Sequence, residues 1–197
     1  DWAPSALQGL AYWLGSQHSL GLAANISEGA IAWELIRLVF THRTSGRILE
    51  AEVLYRHIPE LNARNLESRS RKRADLVIAK VTRSDRGTSY QPGEVEAIIE
   101  IKHNRSRRQL VWDDIDFLGE QREKSKAIRA FLIYASVNER PDDFTDKFGA
   151  AIEPRTRHTA SKKTRYRVRR VCRATQRIPH KNKSARGHYA VLIEVSP

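Results

Sequence analysis

Three short apolar runs in the middle of the chain constrain its fold more than any other feature. They are Leu76-Val77-Ile78-Ala79, Val95 to Ile101, and Ala130-Phe131-Leu132-Ile133-Tyr134-Ala135. Each is short, rich in β-branched or aromatic residues, and bounded by polar or turn-forming sequence, which marks buried strands rather than helices. The stretch 82–94 between the first two contains Ser84-Asp85-Arg86-Gly87 and Pro92-Gly93 and reads as a loop. Residues 107–126, between the second and third, are mostly polar with apolar points at Leu110, Ile115 and Leu118, and read as a helix. The order β–β–α–β after N-terminal helices predicts an α/β sheet covered by helices.

Upstream, residues 5–14 carry Leu7, Leu10, Ala11 and Leu14 at helical spacing. Residues 15–30 are small and polar and predict a connector. Ile31 to Phe40 is a strongly apolar helix, with Ser27 or Asn25 as its cap. Residues 47–58 predict a second helical stretch, closed by Pro59. Residues 60–74 are polar and end in Arg71-Lys72-Arg73.

Downstream, the odd positions from Arg165 to Thr175 include Arg165, Arg167, Arg169 and Arg173, and the even ones Tyr166, Val168, Cys172 and Ala174. That alternation predicts a strand with one basic and one apolar face, with Arg170 as its flaw. Tyr189 to Val195 reads as a last strand, and residues 176–187 as a basic loop. With 197 residues, 40% of them apolar, the chain suits one domain with extensions. We divide it into an N-terminal helical extension over 1–30, a core over 31–150, and basic C-terminal strands over 151–197 belonging to the same domain. No apolar run reaches the ~18 residues of a membrane helix. The lone Cys172 excludes an internal disulfide and a cysteine-rich zinc site, and the composition fits a cytosolic protein.

The net charge of +12 is segregated. Residues 155–188 hold 13 Lys or Arg and no acid, and the remainder has 22 basic against 23 acidic residues. A segregated basic stretch is the electrostatic footprint of a polyanion partner; the alternative is a solvated basic tail.

Asp75 stands at the mouth of the first core strand, and Glu100-Ile101-Lys102 closes the second. Strand alternation points Glu100 and Lys102 to the same side. Two carboxylates at the ends of neighbouring strands can share a hard cation, which activates a phosphate and a water. A lysine beside them helps orient or deprotonate that water and offsets transition-state charge. Taken singly, Asp75 could be a turn residue, and Glu100 with Lys102 an exposed ion pair worth little.

The pattern Asp75…Glu100-x-Lys102 resembles the PD-(D/E)XK nuclease superfamily. So do its surroundings, Arg73-Ala74-Asp75-Leu76-Val77-Ile78 and Ala97-Ile98-Ile99-Glu100-Ile101-Lys102. The resemblance spans roughly residues 30–137, with Ala74 standing where the motif's name has proline. It implies a restriction-endonuclease-like mixed sheet with an αβββαβ-type core flanked by helices. It also implies Mg²⁺- or Mn²⁺-dependent cleavage of DNA. Asp75, Glu100 and Ile101 would form the metal group, and Lys102 would stand at the attacking water. Many members add an acid from the first core helix. Glu34 is the candidate here, the alternative being a surface pair with Arg37, and Glu50 and Glu52 are rivals.

Arg105, Arg107, Arg165, Arg167, Arg169 and Arg173 are the expected nucleic-acid contacts, and a homodimer is compatible with this reading. His103 and Asn104 either touch phosphate or simply end the strand. Asp113, Asp114 and Asp116 read as acids of a helix N-terminal turn or as a second metal cluster. Cys172 reads as packing. A non-catalytic nucleic-acid-binding protein is the rival function.

Overall fold

The computed structural model describes residues 3–22, 26–41, 46–58, 61, 72–80, 83–84, 87–88, 94–158, 163–175 and 187–197. Their elements run α1 (Ala3–Ser19), α2 (Glu28–Thr41), β1 (Arg47–Leu54), β2 (Arg73–Lys80), the two-residue strands β3 (Arg83–Ser84) and β4 (Gly87–Thr88), β5 (Val95–His103), α3 (Arg108–Lys124), β6 (Arg129–Ser136), β7 (Arg155–His158), β8 (Lys163–Thr175) and β9 (Gly187–Ser196). One seven-stranded mixed sheet, in the order β1-β2-β5-β6-β9-β8-β7, organises the α/β fold. Only β5 and β6 run parallel; the other neighbours are antiparallel. A parallel pair needs a crossover, and α3 supplies it. Among the described residues no helix is long and apolar enough to cross a membrane.

Each face of the sheet carries its own core. On one, Leu7, Leu10 and Leu14 of α1 and Ile31 and Leu35 of α2 pack on Leu76, Ile99, Ile101 and Ile133. On the other, Val111, Ile115 and Leu118 of α3 pack with Tyr55, Val77, Ile98, Leu132, Phe144 and Val191. The alternating residues of the central strands therefore feed two cores, which is why those strands read as continuous apolar runs. Ser27 caps α2, its Oγ accepting from Ala30 N at 3.1 Å. Asn25 lies outside the described residues.

Four expectations change. Residues 47–54 form β1 rather than a helix, followed by a single 3-10 turn at Tyr55–His57. Their Leu, Glu and Ala content favours helix locally, but pairing with the whole length of β2 satisfies the backbone instead. Pro59 lies outside the described residues, as do most of 82–94 and all of 176–186. The expected connector at 15–30 begins late, because α1 continues to Ser19. Nor is α1 an appendage: its buried leucines lie under β8 and β9. β9 pairs with β6 along seven residues and makes β8 and β7 part of the same sheet.

The fourth change concerns β8. Its register against β9 shifts between Val168 and Arg170, a β-bulge at the place where the sequence alternation fails. The extra residue reverses the facing of the strand beyond it. Tyr166 and Val168 point into the α3-side core, whereas Cys172 and Ala174 point into the α1-side core. Arg165 and Arg167, paired with Ser196 and Glu194, thus lie on the opposite face from Arg173, which pairs with Tyr189 and stacks on its ring at 5.5 Å. The single basic face read from sequence is split in two.

Candidate active site

The ladder between β2 and β5 stops at Leu76↔Ile99, one residue short of Asp75. On the other flank, β1 pairs through Ala51↔Leu76 and Val53↔Ala74 but skips the position between them. There Glu52 holds a left-handed backbone, φ 56°, a conformation costing a non-glycine residue about 1–3 kcal/mol. Asp75 sits in this lapse of the sheet. Its Oδ2 accepts from Ile101 N at 2.6 Å, replacing the missing strand partner and tying β2 to the Glu100-Ile101-Lys102 segment.

Glu100 is 3% exposed. Its Oε1 accepts from the Tyr55 hydroxyl at 2.5 Å, and Tyr55 is itself braced edge-on by Phe117 of α3. Burial, and then the charge of Asp75, push the Glu100 carboxyl up to about 8, against the pull of Tyr55 in the other direction. Burial likewise raises Asp75, opposed by the Ile101 N–H and Lys102 and reinforced by Glu28 and Glu52. Two carboxylates raised in this way are short of positive charge.

Lys102 Nζ lies 3.0 Å from Asp114 Oδ2, 3.2 Å from Glu28 Oε2 and 3.2 Å from the Ile101 carbonyl oxygen. Burial works against the ammonium, but Asp114 and Glu28 outweigh it and hold Lys102 protonated well above the ordinary lysine value. Asp114 also pairs through Oδ1 with Lys72 Nζ at 3.3 Å, and Lys72 rests on the face of Phe117. Ser106, on the loop after β5, donates to Glu28 Oε1 at 2.6 Å.

Asp75, Glu100 and Lys102 are thus brought together, and Glu34 is not joined to them. Its two carboxylate oxygens are held by Arg37 Nε at 2.9 Å and Nη2 at 2.6 Å, the pairing that three-residue spacing allows. The acid that α2 sends to Lys102 is Glu28, in its first turn. Glu52 stands across from Asp75 on β1, near Arg73, while Glu50 pairs with Val77 further along.

The acids of α3 also change meaning. The helix begins at Arg108, with no acid in its first turn, so Asp113, Asp114 and Asp116 fall on later turns. Asp113 accepts from Gln109 and Asp116 pairs with Arg157, leaving Asp114 to face the site. Sequence reasoning missed Asp114, Glu28 and Tyr55. A buried-face position for Asp114, three residues after Val111 and four before Leu118, was the available signal. Asn104 donates to the Val137 carbonyl and closes the strand end. His103 is buried, and burial and then Arg105 lower its pKa. Arg105 and Arg107 are exposed beside Ser106.

Among the described residues no set of three or more His, Cys, Asp or Glu side chains is spaced to hold a metal ion. What the site offers is two carboxylates and the Ile101 backbone. No hydrogen bond among the described residues engages Asp75 Oδ1 or Glu100 Oε2. All-oxygen donors with raised pKa values suit a hard divalent cation, so the residues present fit Mg²⁺ or Mn²⁺. Comparison with protein-family models, with curated proteins and with solved structures gives no match.

Proposed function

We propose that this protein is a metal-dependent endonuclease that hydrolyses DNA phosphodiester bonds at Asp75, Glu100 and Lys102. The observation that carries the reading is the break in the sheet at Asp75. There two carboxylates and a protonated lysine converge from adjacent strands, and burial raises both carboxylates. With the separate two-residue strands β3 and β4 set aside, the order α2-β1-β2-β5-α3-β6, with the site where β2 meets β5, supports this reading.

Asp75 and Glu100 would hold the cation, with the Ile101 carbonyl oxygen as a neighbouring donor. A bound Mg²⁺ or Mn²⁺ supplies Lewis-acid activation of the phosphate and of a water. Lys102, kept charged by Asp114 and Glu28, offsets negative charge that builds on the phosphate and orients the attacking water. Its raised pKa makes it a cation there and not the proton acceptor. Arg105 and Arg107, exposed on the loop beyond β5, would meet the phosphate backbone of the strand being cut.

The test is nicking of supercoiled plasmid with Mg²⁺ or Mn²⁺ against EDTA. Lys102→Ala should retain DNA binding and lose ~100-fold or more in rate, as removal of a positioned electrostatic group does. Asp75→Asn should lose both cleavage and Mn²⁺ binding by calorimetry. Parental cleavage by a folded Lys102→Ala protein refutes the assignment. A parent that cuts no DNA with any divalent metal leaves the rival, a non-catalytic nucleic-acid-binding protein, which the exposed arginines of β8 favour.

A further inference from the structure

At the end of the sheet where β6 begins and β9 stops, arginines crowd around one carboxylate. Arg165, Arg167 and Arg169 of β8, Arg155 of β7 and Arg122 of α3 line a cleft whose single acid is Glu194. Glu194 binds Arg129 at 3.1 Å and also Arg169, so two guanidiniums share one charge. Arg122 Nη1 is held by the carbonyl of Lys126 at 2.7 Å, which closes the end of α3 and fixes the guanidinium at the cleft wall. Arg165 and Arg167 are exposed, and no carboxylate pairs with either among the described residues.

The Arg165 and Arg167 wall of this cleft faces away from the candidate active site. Glu100 and Lys102 alternate with Ile99 and Ile101, which belong to the α1-side core, and so face α3. Arg165 and Arg167 pair with Ser196 and Glu194, which alternate with Val195 of the α3-side core, and so face the other way. The strand order places β8 three steps from β5, about 14 Å at ~4.8 Å per step. A phosphate held at Arg165 therefore belongs to a different stretch of polyanion from one at Glu100.

We propose that this cleft is a second nucleic-acid-binding surface, gripping the phosphate backbone of a segment distinct from the one that is cut. The identity of the polyanion rests on the nuclease reading above; the existence of the anion site does not. Guanidinium forks match phosphate oxygens bidentately and are the usual choice for nucleic-acid backbones. Arg165 and Arg167 stand two residues apart on a strand, ~6.7 Å, about two nucleotide rises of ~3.4 Å. Tyr166 and Val195 of the cleft are buried and its one exposed apolar residue is Pro154, so it lacks the apolar centre of a protein–protein interface.

The experiment uses the full chain with two labelled duplexes, one of about ten base pairs (~34 Å) and one of about sixty. Binding is measured in EDTA over a salt series, and cleavage in Mg²⁺. Arg165→Ala/Arg167→Ala should weaken binding of the long duplex ~10-fold or more and lower its log–log salt slope by ~0.9 per lost phosphate contact. It should raise KM for the long duplex more than for the short one and leave kcat on the long duplex unchanged. Arg105→Ala/Arg107→Ala should impair the short duplex as well. If the parent cuts neither duplex, the nuclease reading fails alone, and loss of binding in Arg165→Ala/Arg167→Ala still upholds the cleft. Unchanged affinity and slope in that variant, with its fold intact by circular dichroism, overturns it.

Discussion

Glu100→Gln tests the site without needing a substrate. In the unfolded chain the Glu100 carboxyl loses its proton near 4.5, and in the folded protein only near 8. Between those values the folded state holds a proton that the unfolded state has released, so stability falls as pH rises through the window. At ~1.36 kcal/mol per pH unit the interval amounts to on the order of 5 kcal/mol above pH 8. Gln cannot ionise, keeps an oxygen for the Tyr55 hydroxyl, and removes the cost. Below pH 4.5 the two proteins should melt together. By pH 9 Glu100→Gln should melt higher by roughly 10–20 °C, taking about 2–4 °C per kcal/mol at this size.

The assay is differential scanning calorimetry from pH 4 to 9, with and without Mg²⁺. His103 and His188, both lowered by burial, contribute a rise in stability with pH that is common to both proteins and cancels in the difference. Mg²⁺ at high pH should raise the melting temperature of the parent, because it binds only the folded, ionised site, and should do little for Glu100→Gln. Melting curves that run parallel across the whole range would show that Glu100 is not held in a charge-starved pocket. The functional assignment would lose its main electrostatic support with it.

The same geometry sets three further outcomes. Asp114→Asn should slow cleavage ~10–100-fold, the usual range for a residue that acts through the one touching substrate, and should bring the alkaline limb of the pH–rate profile to lower pH as Lys102 loses its main partner. Glu34→Gln should leave cleavage at the parental rate, since that carboxylate serves Arg37; a loss beyond a few-fold in a folded protein would put Glu34 back in the site. Leu10→Ala should cost about 2–5 kcal/mol in urea denaturation, because α1 is part of the core; a cost below ~1 kcal/mol would mean that the helix is an appendage.

The central strands were legible because each runs between two cores and must be apolar on both faces. The closeness of Asp75 to the Glu100-Ile101-Lys102 segment was legible because they stand on consecutive apolar strands, which pair side by side. β1 was not, since it lies at the sheet edge and its Leu-Glu-Ala composition carries no clear period; only β2 alongside decides it. Glu28 and Asp114 lie 74 and 12 residues from Lys102, and an ion pair made by folding leaves no trace in local spacing. Glu34 was the more conspicuous acid because it interrupts an apolar helix, yet its neighbour Arg37 answers its charge within one turn. The alternation of β8 was read correctly on both sides of Arg170 and joined wrongly, because a period of two cannot register a reversal of phase.

That reversal makes parity a constraint on β8. The strand from Lys163 to Thr175 serves one core with its first half and the other with its second, and the odd residue between Val168 and Arg170 connects them. Removing or adding one residue there would force a choice. Either Tyr166 and Val168 leave the α3 side, or Cys172 and Ala174 leave the helix α1 above them and an arginine takes their place. Length changes of two residues keep both halves in phase. Core packing therefore sets no side chain at the exposed positions of β8, but it locks the count of residues between the two halves.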